Sequence, residues 1–272
     1  MIHAQVAMLN CWLVVPIKRR TRFAWNEAIV RIKMYGETDV GRVRSKNQDS
    51  FYFNEVQGLC VVCDGIGGRK GGEIASSIAV EGIRKAFLDC DALRAEEAGP
   101  FLMVSIDQVN QKIILKGLQE RKIQGMGTTI NCLLFVGEMV YMAHIGDSRT
   151  YLLKDNHIWQ LTIDHNIEVY VERGWLPPEV LQSSAKPGAL VRALGLSNRC
   201  EADIYEKKVS GGEIYLTCSD GLTGMVSDKK IKEIITQNRN RLEVVPKILV
   251  AEANRSGGRD NTTVVITEIL ED

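Results

Sequence analysis

Four strand-like runs follow one another almost without interruption between residues 128 and 161. Thr128 to Phe135, Met139 to Ile145, Arg149 to Leu153 and His157 to Leu161 are rich in β-branched, aromatic and apolar residues. They are broken only by Gly137-Glu138, Gly146-Asp147-Ser148 and Lys154-Asp155-Asn156. Links this short join antiparallel neighbours, so the spacing predicts a meander. Helical patterns stand outside that block. Gly72 to Cys90 carries Ile74, Ile78, Ile83 and Phe87 among small residues, and Pro100 to Arg121 places a proline suited to a first turn. Asp228 to Gln237 and Leu242 to Arg255 read as two more helices, the second stopped by Gly257-Gly258. Glu213 to Cys218 and Thr262 to Ile269 read as further strands. Strands and helices in blocks, rather than alternating, predict an α+β fold with antiparallel sheets covered by helices.

The chain reads as one domain over 34–272 with an extension at 1–33. Met8 to Ile17 is apolar but far short of the ~20 residues of a membrane span. The basic Lys18-Arg19-Arg20 follows that run, the wrong order for a secretory signal, so a poorly ordered extension is expected. Met34, just before the first clear pattern, is a candidate translation start. Asp164 to Asn198, interrupted by Gly174, Pro177-Pro178, Pro187, Gly188 and Gly195, reads as an irregular surface insertion.

Lys plus Arg and Asp plus Glu balance at 34 each, so the charge footprint of a nucleic-acid or membrane-surface binder is absent. The seven cysteines are scattered through apolar runs, the usage of small buried hydrophobes in a reducing cytosol. Cys60 and Cys63 have a metal-like spacing, yet alternation along a strand sends them to opposite faces, which predicts core packing.

The functional signal lies in where acids stand. Asp64 follows Leu-Cys-Val-Val-Cys, Asp147 follows His-Ile-Gly, Asp220 follows Tyr-Leu-Thr-Cys-Ser, and Asp260 precedes Asn-Thr-Thr-Val-Val-Ile. Each sits at the end of a strand-like run. If those ends share an edge the carboxylates meet, and a hard divalent cation relieves their repulsion. Oxygen-only ligation suits Mg²⁺ or Mn²⁺, and the four histidines form no zinc-like set with the cysteines. After Asp64, the glycines of Gly65-Ile66-Gly67-Gly68 let backbone approach a small ligand. Upstream, Gly41-Arg42-Val43-Arg44-Ser45-Lys46-Asn47-Gln48-Asp49 adds Arg44, whose planar fork can hold two phosphate oxygens, and a further acid, Asp49.

These segments resemble the metal-dependent protein phosphatases of type 2C in their compact bacterial form. The resemblance is carried by Gly41-x-x-Arg44-x-x-Asn47-Gln48-Asp49, Asp64-Gly65-x-Gly67-Gly68, Gly127-Thr128-Thr129, Gly146-Asp147-Ser148-Arg149, Leu161-Thr162-x-Asp164-His165, Arg192-Ala193-Leu194-Gly195, Ser219-Asp220-Gly221-Leu222 and Asp260-Asn261-Thr262-Thr263. They occur in the family's order from about Gly36 to Ile269.

The resemblance implies a four-layer α-β-β-α sandwich of two antiparallel sheets, with two Mn²⁺ or Mg²⁺ ions in the cleft between them. By that likeness Asp64 bridges both ions, the Gly65 carbonyl holds one, and Asp220 and Asp260 hold the other. Asp147 with Asp220 forms a weaker third site, Arg44 binds the substrate phosphate, and Asp49 orients or deprotonates metal-bound water. The expected activity is hydrolysis of phosphoserine and phosphothreonine in proteins by a hydroxide bridging the metals, in a cytoplasmic monomer that takes targets of a serine/threonine kinase. A phosphoprotein-binding pseudophosphatase is the alternative; it would lack a metal carboxylate. Gln48 stands where the family commonly has glutamate, so one water-mediated contact to metal loses its charge. Ile66 replaces the histidine of animal members. Ser184-Ala185-Lys186-Pro187-Gly188 departs from the family's flap motif, which bears on substrate preference.

Overall fold

A computed structural model describes residues 30–66, 71–90, 93–183 and 188–271. The elements are β1 (Ile32–Asp39), β2 (Asp49–Asn54), β3 (Leu59–Ile66), α1 (Gly72–Leu88), α2 (Ala95–Gln119), β4 (Gly127–Thr128), β5 (Ile130–Val136), β6 (Met139–Ile145), β7 (Arg149–Lys154) and β8 (His157–Gln160). They continue with α3 (Ile167–Glu172), α4 (Glu179–Ser183), β9 (Asp203–Lys208), β10 (Ile214–Cys218), α5 (Asp220–Thr223), α6 (Asp228–Gln237), α7 (Val245–Arg255) and β11 (Thr262–Ile269). Two antiparallel sheets result, one ordered β1-β11-β10-β7-β8 and the other β2-β3-β5-β6-β9. Helices α1 and α2 cover the second sheet, α6 and α7 the first. This is the α+β, four-layer arrangement that the resemblance implied.

Strand alternation builds the layers. Along β3, Leu59, Val61 and Cys63 pack under α1 and α2, whereas Cys60 and Val62 enter the core between the sheets with Leu133, Tyr215 and Val265. Cys60 and Cys63 thus serve as core residues on opposite faces. Along β10, Leu216 and Cys218 face α6 and α7 while Tyr215 faces inward. The same alternation carries Asp49 and Asp64 to the inner face of one sheet, and Ser219 and Thr263 to that of the other.

Three sequence expectations change. The meander is two hairpins: β5 and β6 pair in one sheet, β7 and β8 in the other, so Gly146-Asp147-Ser148 crosses between sheets instead of turning within one. Helix α2 starts at Ala95 rather than Pro100, because the backbone N–H of Arg94 is taken up by the Glu97 carboxylate at 3.1 Å and fixes an earlier first turn. Strand β9 is additional; its Asp-Ile-Tyr-Glu-Lys-Lys run closes the edge of its sheet. Residues 1–29, most of the expected extension, lie outside the described residues, as do Gly67, Gly68 and the flap residues 184–187; Ile32 and Lys33 belong to β1. Among the described residues no helix is long and apolar enough to cross a membrane.

Candidate metal centre

The centre forms where the two sheets end together. Asp49 opens β2 and stands directly opposite Asp64 in the β2–β3 register. Asp49 Oδ2 accepts hydrogen bonds from Ser219 Oγ and Thr263 Oγ1, both at 2.7 Å, so one carboxylate of the second sheet is tied to the end of β10 and to β11 of the first. Asp64 is held through its backbone. Its N–H donates to Thr129 Oγ1 at 2.9 Å, and its carbonyl accepts from Thr129 N–H at 2.9 Å and Thr128 Oγ1 at 2.8 Å. Thr129 Oγ1 in turn shares a 2.7 Å hydrogen bond with Ser148, beside Asp147.

Gly65 is required by space: a Cβ there would lie 2.2 Å from the Gly72 carbonyl oxygen, so only glycine lets α1 start against the end of β3. Gly221 plays the matching part on the other sheet, where a Cβ would fall 1.9 Å from the Asn261 oxygen. That close approach seats α5, and Asp220 in its first turn, against the loop carrying Asp260. Asn261 ties this loop down: its Nδ2 donates to the carbonyls of Val40 and Lys46, both at 2.9 Å, and its Oδ1 accepts from Gln48 N–H at 2.8 Å. Arg44, in the loop so anchored, donates from Nη2 to Asp260 Oδ2 at 2.6 Å.

The acids are therefore brought together. Asp64 lies within hydrogen-bonding reach of both Asp49 and Asp220, the Asp220 charge acts on Asp49, Asp147 adds its field to Asp64, and Asp260 and Arg44 form the rim. Burial and the neighbouring Asp49 and Asp220 hold Asp64 well above the usual carboxylate range. Burial raises Asp49 to about 6 despite its two hydroxyl donors, and burial with the Asp220 charge raises Asp147 to about 7. Asp220 is raised by burial as well. Asp49 Oδ1 and Asp220 Oδ1 are buried without a hydrogen-bond partner. Among the described residues no cation pairs with Asp49, Asp64 or Asp220, although the charges of Arg44 and Arg149 reach Asp220.

Among the described residues no three His, Cys, Asp or Glu side chains close into a ready-made metal cage. A small hard cation needs none, since Mg²⁺ keeps several waters and takes one or two carboxylates directly. Hard oxygens, excess negative charge and two orphaned carboxylate oxygens are the donor set that Mn²⁺ or Mg²⁺ suits. Sequence reasoning located every acid but assigned no role to Thr128, Thr129, Ser148, Ser219, Thr263 and Asn261, which aim them. A signal was present only in part, as Ser148 and Ser219 adjoining Asp147 and Asp220 and Asn261-Thr262-Thr263 following Asp260; nothing beside Asp64 announces Thr128 and Thr129.

Comparison with known proteins agrees with this geometry. Residues 41–246 match the family described as Protein phosphatase 2C. The serine/threonine phosphatase stp of Listeria monocytogenes is 35% identical over 236 residues, covering 85% of this chain and 93% of that one. The solved structure of the S. agalactiae serine/threonine phosphatase is 32% identical with a TM-score of 0.79, over 88% of this chain and 99% of that one. The catalytic domain of the serine/threonine protein phosphatase PstP, solved with two manganese ions, is 31% identical with a TM-score of 0.77, over 88% of this chain and 99% of that one.

Proposed function

The chain belongs to the protein phosphatase 2C family, and from that premise we propose how its own residues carry out metal-dependent hydrolysis of phosphoserine and phosphothreonine in proteins. The observation that carries the reading is the set of mutually repelling acids Asp49, Asp64, Asp220 and Asp147, gathered between the sheets, with no ion pair to Asp49, Asp64 or Asp220 among the described residues. Asp64, the Gly65 carbonyl, Asp220 and Asp260 would hold two Mn²⁺ or Mg²⁺ ions, and Asp147 with Asp220 a weaker third. Bound there, such ions supply water activation near neutral pH and neutralise phosphoryl charge.

The remaining work falls to the side chains. Asp49, fixed by Ser219 and Thr263, has its free Oδ1 to accept a proton from the attacking water and aim it at phosphorus. Arg44 is half exposed at the mouth, and its guanidinium, steadied by one carboxylate oxygen of Asp260, can turn its other N–H groups to the phosphate oxygens as charge builds in the transition state. Ile66 offers no acid for the departing alkoxide, so that proton comes from solvent. A pseudophosphatase would lack one of these carboxylates, and all of them are present. We further propose a cytoplasmic monomer acting on targets of a serine/threonine kinase; the thiols of Cys60, Cys63, Cys132 and Cys218, buried and unbridged, support a reducing compartment.

The test is hydrolysis of p-nitrophenyl phosphate and of a phosphothreonine peptide. Both should require Mn²⁺ or Mg²⁺ and stop in EDTA; turnover that persists in EDTA would refute the proposal.

A further inference from the structure

Behind the Gly65 carbonyl lies a second carboxylate that none of the roles above uses. Glu73, in the first turn of α1, accepts a hydrogen bond from Gln48 Nε2 at 3.1 Å, one from the Gly71 backbone N–H at 3.3 Å, and one from Lys46 Nζ at 3.3 Å. Gln48 immediately precedes Asp49, and its backbone oxygen accepts from Gly65 N–H at 3.1 Å and Ser76 Oγ at 2.6 Å. The packing is close throughout. A Cβ at Gly72 would lie 2.6 Å from Gln48 Nε2 and 2.5 Å from the Gly65 oxygen, so the Gln48 amide and the Gly65 carbonyl abut the same residue.

An amide has a donor end and an acceptor end, and turning Oε1 toward Glu73 would oppose two acceptors. Glu73 therefore fixes which way the Gln48 amide points and leaves Oε1 as the acceptor on the side away from the helix. A carboxylate hydrogen-bonded to the N–H end also polarises the amide, making Oε1 more negative. Lys46, the other partner of Glu73, is 70% exposed, so solvent weakens its hold on that charge.

We propose that Glu73 is a positioning residue for the metal centre: through the Gln48 amide it supplies, from behind Gly65, the negative charge that position 48 lacks. The inference rests on the metal-centre reading above. Partners one step removed from a metal orient its ligands and waters, and their loss typically weakens binding 10- to 100-fold. A carboxylate at a helix start that served the helix alone would leave metal binding untouched.

The experiment is titration calorimetry of Mn²⁺ into metal-free protein, with melting curves in EDTA alongside, on wild type, Glu73→Gln, Gln48→Leu and the exchange Gln48→Glu with Glu73→Gln. Wild type should bind Mn²⁺, and Glu73→Gln and Gln48→Leu should each weaken binding by roughly 10-fold. The exchange, which moves one carboxylate across the same contact, should recover most of that loss. Unchanged Mn²⁺ affinity in Glu73→Gln, or in Gln48→Leu should the first variant fail to fold, would overturn the inference while leaving the metal centre standing. A drop in melting temperature with no rescue of affinity in the exchange would do the same. Failure of wild type itself to bind Mn²⁺ would overturn both.

Discussion

Two groups of acids lie in this molecule, and they are solved in opposite ways. At the root of the insertion that follows β8 and along the neighbouring β9, three acids each meet a protein cation. Asp164 receives the fork of Arg149 at 2.7 to 3.0 Å, and Asp203 receives Arg192 Nη1 at 2.8 Å, His165 Nε2 at 3.1 Å and the Tyr205 hydroxyl at 3.1 Å. Glu213, nearly inaccessible, holds Lys207 at 2.7 Å and Tyr215 at 2.8 Å. Burial pushes Asp203 up, but His165 and Arg192 outweigh it and its carboxyl ends below the usual range. In the cleft, burial pushes Asp49 to about 6 and only hydroxyls answer it. Burial alone therefore does not distinguish a structural acid from a functional one; the source of the opposing positive charge does.

The largest effect that could break this comparison is Asp64→Asn. Removing a charge from the centre of the cleft should lower phosphatase activity by at least ~10³-fold if the ions and the water they activate depend on it. In EDTA the same substitution should raise the melting temperature, because one of several like charges has gone. A variant that is both inactive and less stable in EDTA would place Asp64 with the structural acids.

Arg149→Met should give the opposite pattern. It leaves Asp164 buried with its Arg149 fork gone, a loss of about 3 kcal/mol by the usual cost of breaking a buried pair. Urea unfolding in EDTA measures it. A cost under ~1 kcal/mol, the range of exposed pairs, would mean that water already screens this contact.

How much of this contrast could be read from residues alone follows from distance along the chain. Asp64, Asp147, Asp220 and Asp260 stand out because strand alternation and the adjoining small residues are local. That Asp49 would be gripped by Ser219 and Thr263 was not legible, since it depends on which sheet faces which. The crossing at Gly146-Asp147-Ser148 was hidden for the same reason: a three-residue break looks like a hairpin whether or not its strands pair. Strand β9 was missed because Asp203 to Lys208 is mostly charged; it is an edge strand whose Ile204 and Tyr205 pack to opposite sides, and the Arg192 and His165 side chains that match its acid, Asp203, are 11 and 38 positions away. The cation-matched cluster is thus a product of tertiary contact, the unmatched one of local pattern.

The smallest effect concerns the histidines beneath the matched cluster. His144 and His165 have ring centroids 4.7 Å apart. His165 Nδ1 accepts the Gly146 N–H at 3.1 Å, so its proton sits on Nε2 facing Asp203; His144 Nε2 lies 3.0 Å from the Ile163 carbonyl, and its Nδ1 has no partner. Both rings are thereby neutral. Burial, then the nearby His165, lowers His144 to about 3, and burial lowers His165 despite Asp203. A base whose folded value is depressed takes up its proton in the unfolded chain first. Stability is therefore complete above the ordinary histidine value of ~6.5 and is lost as pH falls below it, by roughly 1.4 kcal/mol per unit for one proton. Replacing His144 with Gln, which cannot titrate, should cut the loss of unfolding free energy between pH 7 and 5.5 by about 1 kcal/mol, measured in urea with EDTA present. An unchanged slope would mean that His144 already carries a proton in the folded protein, and that the network treats positive charge as welcome even where no acid faces it.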